Sequence, residues 1–111
     1  TVEIFCEGEN IPIPVQVLFY IESQGHEQCL HLIGGPRKKL FTRWTMKQLE
    51  ELLVPHGFLR IHKSFLVNMS HLQSLQSTGA ILTNGYNLPV GARSYRENKQ
   101  KFIKWQAQQI W

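Results

Sequence analysis

Two pairs of side chains in the sequence have types and spacing that suit nucleophilic chemistry: His62 with Ser64, and Cys29 with His31. Each pair is two residues apart inside a β-like run, so strand alternation puts both members on one face. A serine or cysteine nucleophile also needs a base that is itself oriented by a third group, and no acid or nucleophile-elbow motif accompanies either pair. His26, Cys29 and His31 form a loose cluster without a second pair of ligands at zinc-site spacing, so no metal is expected. No glycine-rich phosphate loop is present, because Gly34-Gly35 runs into Pro36 and basic residues and not into a helix. The carboxylates are few and scattered over turn or exposed positions. These patterns argue against an enzyme and against a cofactor.

The remaining polar candidates lie where strand patterns break. His26 follows Gly25 between two apolar runs. Lys63 interrupts FLRIHKSFLVNM, where Ile61, Phe65 and Val67 share one parity and Arg60, His62, Ser64 and Leu66 the other. Lys63 falls on the apolar parity, so a bulge or bend near residues 62 to 64 must turn it outward, unless it snorkels from a sheet end. Arg93 follows Gly91-Ala92 after a last strand. Side chains that project from such breaks suit base-edge reading in a DNA groove, with Arg93 able to donate to guanine in bidentate fashion. Lys38, Lys39 and Arg43 are candidates for backbone phosphate contact.

Charge points the same way without deciding the matter. Residues 1–35 carry Glu3, Glu7, Glu9, Glu22 and Glu27 and no Lys or Arg, whereas residues 36–111 hold all 12 basic residues against Glu50, Glu51 and Glu97. Such asymmetry suggests one surface that attracts a polyanion and another that avoids it; on charge alone, simple solubilisation of a basic β domain fits as well.

The elements that must position these residues are short. Strands are expected over Val2–Cys6, Val15–Ile21, Glu27–Ile33, Arg37–Arg43, Phe58–Met69, Leu72–Gln76, Ala80–Thr83 and Tyr86–Val90. Gly8–Pro14 reads as a turn region because Pro12 and Pro14 cannot serve a central ladder. Asn84-Gly85 is a type I′ hairpin signal. Thr45 and Gln48 have capping-box spacing ahead of Met46, Leu49, Leu52 and Leu53, which predicts a helix ending before Pro55. Ser94 and Glu97 repeat the box before a C-terminal helix that carries Tyr95, Phe102, Trp105 and Gln109 on one face; Trp111 closes the chain, where fraying is expected. The fold class is mostly β, compact antiparallel sheets or a sandwich of short strands with a short middle helix and a C-terminal helix. With 111 residues, one domain over 1–111 is expected. Cys6 and Cys29 sit among apolar neighbours and read as reduced, buried thiols of a cytoplasmic protein. No segment has the length and apolarity of a membrane span.

Three readings remain open on the residues alone: duplex DNA binding through loops, a single-stranded nucleic-acid β-barrel, and a protein-interaction module. Phe41, Phe58, Phe65 and Tyr20 read as core residues, which leaves the barrel without its usual stacking platform.

FLRIHKSFLVN at Phe58–Asn68 is similar to the central motif of the LytTR family of bacterial DNA-binding domains. LFYIES before Gly25-His26, the helix of Thr45, Leu49 and Leu52, and LPV at Leu88–Val90 also resemble that family. The resemblance implies the output domain of a response regulator, behind an N-terminal phosphoacceptor receiver domain, with loops in successive major grooves of double-stranded promoter DNA. It also implies paired protomers on repeated sites. By that resemblance His26, Lys63 and Arg93 are the base readers, while Arg60, His62 and Ser64 shape the site or meet phosphate. The family pattern has serine then arginine directly after the final valine, whereas Gly91 and Ala92 precede Arg93 here.

Overall fold

A computed structural model describes residues 1–110; the expectation for Trp111 lies outside them. Among these described residues, ten strands form three antiparallel sheets: a hairpin of β1 (Val2–Cys6) and β2 (Glu9–Ile13), a five-stranded sheet in the order β5-β4-β3-β7-β6, and a three-stranded sheet in the order β10-β9-β8. In the large sheet β3 spans Leu18–Gln24, β4 Glu27–Leu32, β5 Lys39–Thr42, β6 Phe58–His62 and β7 Phe65–Asn68. The small sheet contains β8 (Leu72–Gln76), β9 (Gly79–Leu82) and β10 (Asn87–Leu88). Helix α1 is Met46–Leu53 and α2 is Tyr95–Ile110.

The large sheet is covered on both faces. One core contains Ile4, Ile13, Leu18, Ile21, Leu30, Leu49, Leu53, Phe58 and Leu66 under the β1–β2 hairpin and α1. The other contains Phe19, Leu59, Val67, Leu75, Leu82 and Phe102 under the small sheet and α2. Neighbours such as Phe58/Leu59 and Leu66/Val67 point to opposite cores, as the pleat requires, and this double burial makes the strands continuous apolar runs.

Helix α1 is specified as its sequence suggests. The Gln48 amide donates to Thr45 Oγ1 at 3.1 Å and the Thr45 amide to Gln48 Oε1 at 2.8 Å, completing the capping box. Met46, Leu49 and Leu53 are buried, each contributing roughly 2 kcal/mol of gross transfer free energy. The helix closes in a tight turn at Val54–His56 that holds Pro55.

Several expectations are corrected. The stretch expected as a turn region is mostly β2, with Pro12 opposite Glu3; a two-stranded ladder has an outer edge on each strand, so a missing amide is tolerated there. Val15–Val17 is a 3-10 turn and not the start of β3. Phe58–Met69 is not one strand: the chain reverses at Lys63-Ser64, and a register shift falls between Arg60 and His62. Asn84-Gly85 does mark a hairpin, but of a different type. Gly85 has φ +90 while Asn84 does not have positive φ, the Gly85 amide donates to Leu82 O, and the Leu82 amide donates to Tyr86 O. That is a three-residue loop ending in a left-handed glycine.

The type I′ pattern occurs instead at Glu7-Gly8, with φ +51 and +94. A glutamate is costly in that region, and its carboxylate offsets the cost by taking hydrogen bonds from Arg37 Nη2 at 2.8 Å and from the Phe41 amide at 3.0 Å. The latter occupies an outward amide of edge strand β5, which protects that edge from pairing with another chain. Glu97 pairs with Lys101 at 3.3 Å and does not close a second capping box.

Candidate nucleic-acid interface

Sheet register decides where the candidate readers fall. The β3–β4 ladder ends at Gln24 opposite Glu27, leaving Gly25-His26 as a two-residue turn with Gly25 at φ +63 and His26 exposed. The β6–β7 ladder ends at His62 opposite Phe65, leaving Lys63-Ser64 as another two-residue turn with Lys63 exposed. Because Glu22 pairs with Phe65 across β3 and β7, both turns lie at the same end of the sheet. The midlines of the two hairpins are two strand spacings apart, about 10 Å. A B-DNA major groove is about 12 Å wide.

The Lys63 turn is held from three directions. Arg60 Nη2 donates to the Lys63 carbonyl at 2.7 Å while its Nη1 donates to Glu50 Oε1 of α1 at 3.1 Å. The Ser64 amide donates to His62 Nδ1 at 3.1 Å, which puts the proton of a neutral His62 ring on Nε2. The Ser23 amide donates to the Ser64 carbonyl at 2.9 Å, tying the turn to β3.

The loop carrying Arg93 joins the same end. The Gly91 amide donates to the Ile61 carbonyl at 2.8 Å, and buried Asn98 on α2 sends Nδ2 to the Arg60 carbonyl at 2.9 Å. These bonds start α2 beside the end of β6 and leave Arg93 exposed. His26, Lys63 and Arg93, separated in sequence, are therefore brought together at one end of one sheet. Arg43 lies there too, directly after Thr42, which pairs with Gln28. Lys38 and Lys39 do not: Lys39 pairs with His31, five residues along β4 from His26 and about 16 Å away at strand rise.

The enzyme arrangements are not assembled. His62 Nδ1 is occupied by an amide and not by the Ser64 hydroxyl. His31 does have an acid partner, Glu22 Oε1 at 3.1 Å from Nε2, yet burial pushes the Cys29 thiol up from its ordinary value, opposite to what a thiolate nucleophile needs. Burial likewise pushes Cys6 up to about 11, with Glu7 adding to it. Burial also lowers the His31 pKa while the Glu22 contact pulls it upward, so at neutral pH the pair is a hydrogen bond from an uncharged ring. Among the described residues no group of three His, Cys, Asp or Glu side chains is placed to hold a metal.

Two buried polar residues stand outside the candidate set: Asn68, which ties the end of β7 to the start of β3 at the far end of the sheet, and Asn98, which positions the Arg93 loop. Asn68 is buried at 1% exposure; its Nδ2 donates to Leu18 O at 2.9 Å and to Val15 O at 3.3 Å, and its Oδ1 accepts from the Ser70 amide at 3.0 Å. Asn98 was detectable from spacing, since it stands three residues after Tyr95 and four before Phe102 on the buried face of α2.

The model of the LytTr DNA-binding domain family matches residues 8–103. The chain belongs to this family. Within this LytTR domain, 76 residues are 36% identical to the transcriptional regulatory protein BtsR of Salmonella typhi, a match covering 64% of this chain and 30% of BtsR. The BtsR protein of Salmonella typhimurium strain LT2 matches to the same extent. The chain thus spans less than a third of the length of the curated relatives it matches. A solved LytTr DNA-binding domain from Bacillus cereus superposes with a TM-score of 0.70 at 22% identity, covering 92% of this chain and 94% of that one. That likeness establishes the fold: short antiparallel strands with a middle and a C-terminal helix. LytTR domains are DNA-binding modules without catalytic chemistry, which accounts for the unassembled pairs above. No helix among the described residues is long and apolar enough to cross a membrane.

Proposed function

We propose that this LytTR domain reads double-stranded promoter DNA in a sequence-specific way, with His26, Lys63 and Arg93 as base-edge readers. The observation that carries the reading is the convergence of three separate loops on one end of the large sheet, each with an exposed hydrogen-bonding side chain on an anchored backbone. Arg93 suits guanine O6 and N7, Lys63 suits guanine or phosphate, and His26 donates or accepts according to tautomer. Arg43 belongs to the backbone footprint. Arg60, His62 and Ser64 shape the Lys63 turn. Lys38 and Lys39 fall outside the footprint unless the duplex reaches the far end of the sheet.

In the same proposal the domain is the output module of a cytoplasmic bacterial response regulator, behind a receiver domain, and two protomers occupy repeated sites. The family assignment and the BtsR relatives support that placement. Of the four aromatics expected in the core, Tyr20 and Phe58 are buried whereas Phe41 and Phe65 are half-buried; none of the four is an open stacking face, which disfavours a single-stranded binding barrel.

Selection of bound duplexes from a random pool tests the proposal. A recurring motif, with a fixed half-site spacing on longer duplexes, is the expected result; an unenriched pool, or tighter binding to single strands of the same sequence, refutes it. On the selected duplex, Arg93→Ala loses roughly 1–3 kcal/mol but loses much less on scrambled DNA at the same salt. Equal losses would remove Arg93 as a base reader.

A further inference from the structure

A cleft of about 520 Å3 opens between the large sheet and the β9–β10 turn, at the end of the sheet opposite the His26 and Lys63 turns. Its volume lies in the range of small-molecule sites. Phe19 and Tyr86 form an aromatic wall, with ring centroids 6.5 Å apart and planes at 31°, and Tyr86 remains 56% exposed. Lys38 and Lys39 line it from the β4–β5 side, and among the described residues no carboxylate lines it.

The decisive residue is Tyr20. It is only 5% exposed, stacks on the His31 ring at 4.1 Å, and lines the cleft. Among the described residues its hydroxyl has no hydrogen-bond partner. Nor is that hydroxyl sealed from solvent, since among the described residues the one sealed and unpartnered side-chain atom is Gln28 Oε1. Tyr20 is thus a cleft-lining residue whose hydroxyl keeps some contact with solvent. The other polar rings there are occupied: His31 Nε2 meets Glu22, and His71 Nε2 meets the Gln16 carbonyl at 2.9 Å.

We propose that this cleft binds a small planar ring bearing an anionic group, with the Tyr20 hydroxyl donating to the anion, Lys38 and Lys39 neutralising it, and the ring lying against Phe19 and Tyr86. Carboxylate and phosphate are the same chemistry for such a site. Burial, with Glu22 and Tyr86 adding to it, pushes the Tyr20 phenol up to about 12, so it stays a donor throughout the physiological range. The site is separate from the proposed DNA-reading end and does not depend on that reading.

The test is titration of the isotopically labelled domain, without DNA, with indole-3-carboxylate, with adenosine monophosphate, and with neutral indole-3-carboxamide. At least one anion is expected to give saturable shifts at Tyr20, His31, Lys39 and Tyr86, with the carboxamide about tenfold weaker or worse. Tyr20→Phe and Lys39→Gln should each weaken that binding several-fold. Lys39 is an exposed edge-strand residue, so its variant reports even where Tyr20→Phe perturbs packing. Absence of saturation by both anions at about 10 mM, equal binding of the carboxamide, or unchanged affinity in Lys39→Gln together with a folded Tyr20→Phe would overturn the proposal.

Discussion

Removing the Asn68 side chain measures how the start of β3 is held against the end of β7. Its amide nitrogen donates to Leu18 O at 2.9 Å and Val15 O at 3.3 Å, while its oxygen takes the Ser70 amide at 3.0 Å, all at a residue 1% exposed. Asn68→Ala leaves Leu18 O and Ser70 N without their partners. At roughly 1–3 kcal/mol per buried group, reduced by whatever water can reach the Val15 turn, the loss is about 2–4 kcal/mol. That is a large part of an ordinary domain's stability of about 5–15 kcal/mol. Asn68→Asp is the sharper test, because an ionised carboxylate has no donor and faces two carbonyl oxygens. Burial raises the folded-state pKa of the introduced acid above its unfolded value of about 3.9. The penalty therefore grows as pH rises through the interval between those two values, and is absent below it, where the protonated acid can donate to Leu18 O. Urea unfolding at pH 7 should rank Asn68→Asp below Asn68→Ala, and the gap should narrow toward pH 4. A loss under about 0.5 kcal/mol in Asn68→Ala, or a gap independent of pH, would refute the reasoning.

Other consequences are equally open to measurement. Native Cys6 and Cys29 should react with a thiol reagent only through opening of the domain, since both are buried with raised pKa values; fast labelling without denaturant would contradict this. His31 has a lowered folded-state pKa, so its contribution to stability is complete above the unfolded value of about 6.5 and declines as pH falls through the window below it. The stability difference between the native chain and His31→Gln should change across that window, and a flat difference would count against the burial argument. Arg60→Ala should cost about 1–2 kcal/mol, by freeing the Lys63 carbonyl and breaking a half-exposed pair with Glu50. It should also weaken binding to a selected duplex with Lys63 intact, whereas undiminished affinity would show that the turn needs no such support.

Much of this fold was legible because local chemistry and tertiary packing agree. Thr45 and Gln48 close their box and the helix ends ahead of Pro55, while the parity conflict at Lys63 marks a real irregularity, although it is a chain reversal between two strands and not a bulge within one. The failures have physical causes. Glu7-Gly8 adopts the turn geometry that Asn84-Gly85 advertises, because Arg37 and Phe41, 30 and 34 residues away, stabilise an otherwise costly glutamate. No local pattern reports such a partner. Pro12 suggested a turn because its tolerance depends on β2 having a free edge, a property of sheet order. The candidate readers were legible as pattern breaks, but their meeting at one end was not: it follows from the β3–β7 pairing of Glu22 with Phe65 and from the Gly91 bond to Ile61. The same register moves Lys38 and Lys39, similar to the others by charge alone, to the far end.

Amide shift mapping of the labelled domain on a selected duplex tests the central claim most directly. The account predicts that the largest changes fall at Gly25-His26, Lys63-Ser64 and Gly91–Arg93, with Ile33–Lys39 and the β9–β10 turn little altered. Changes concentrated at Ile33–Lys39 or the β9–β10 turn, with the three loops silent, would contradict it.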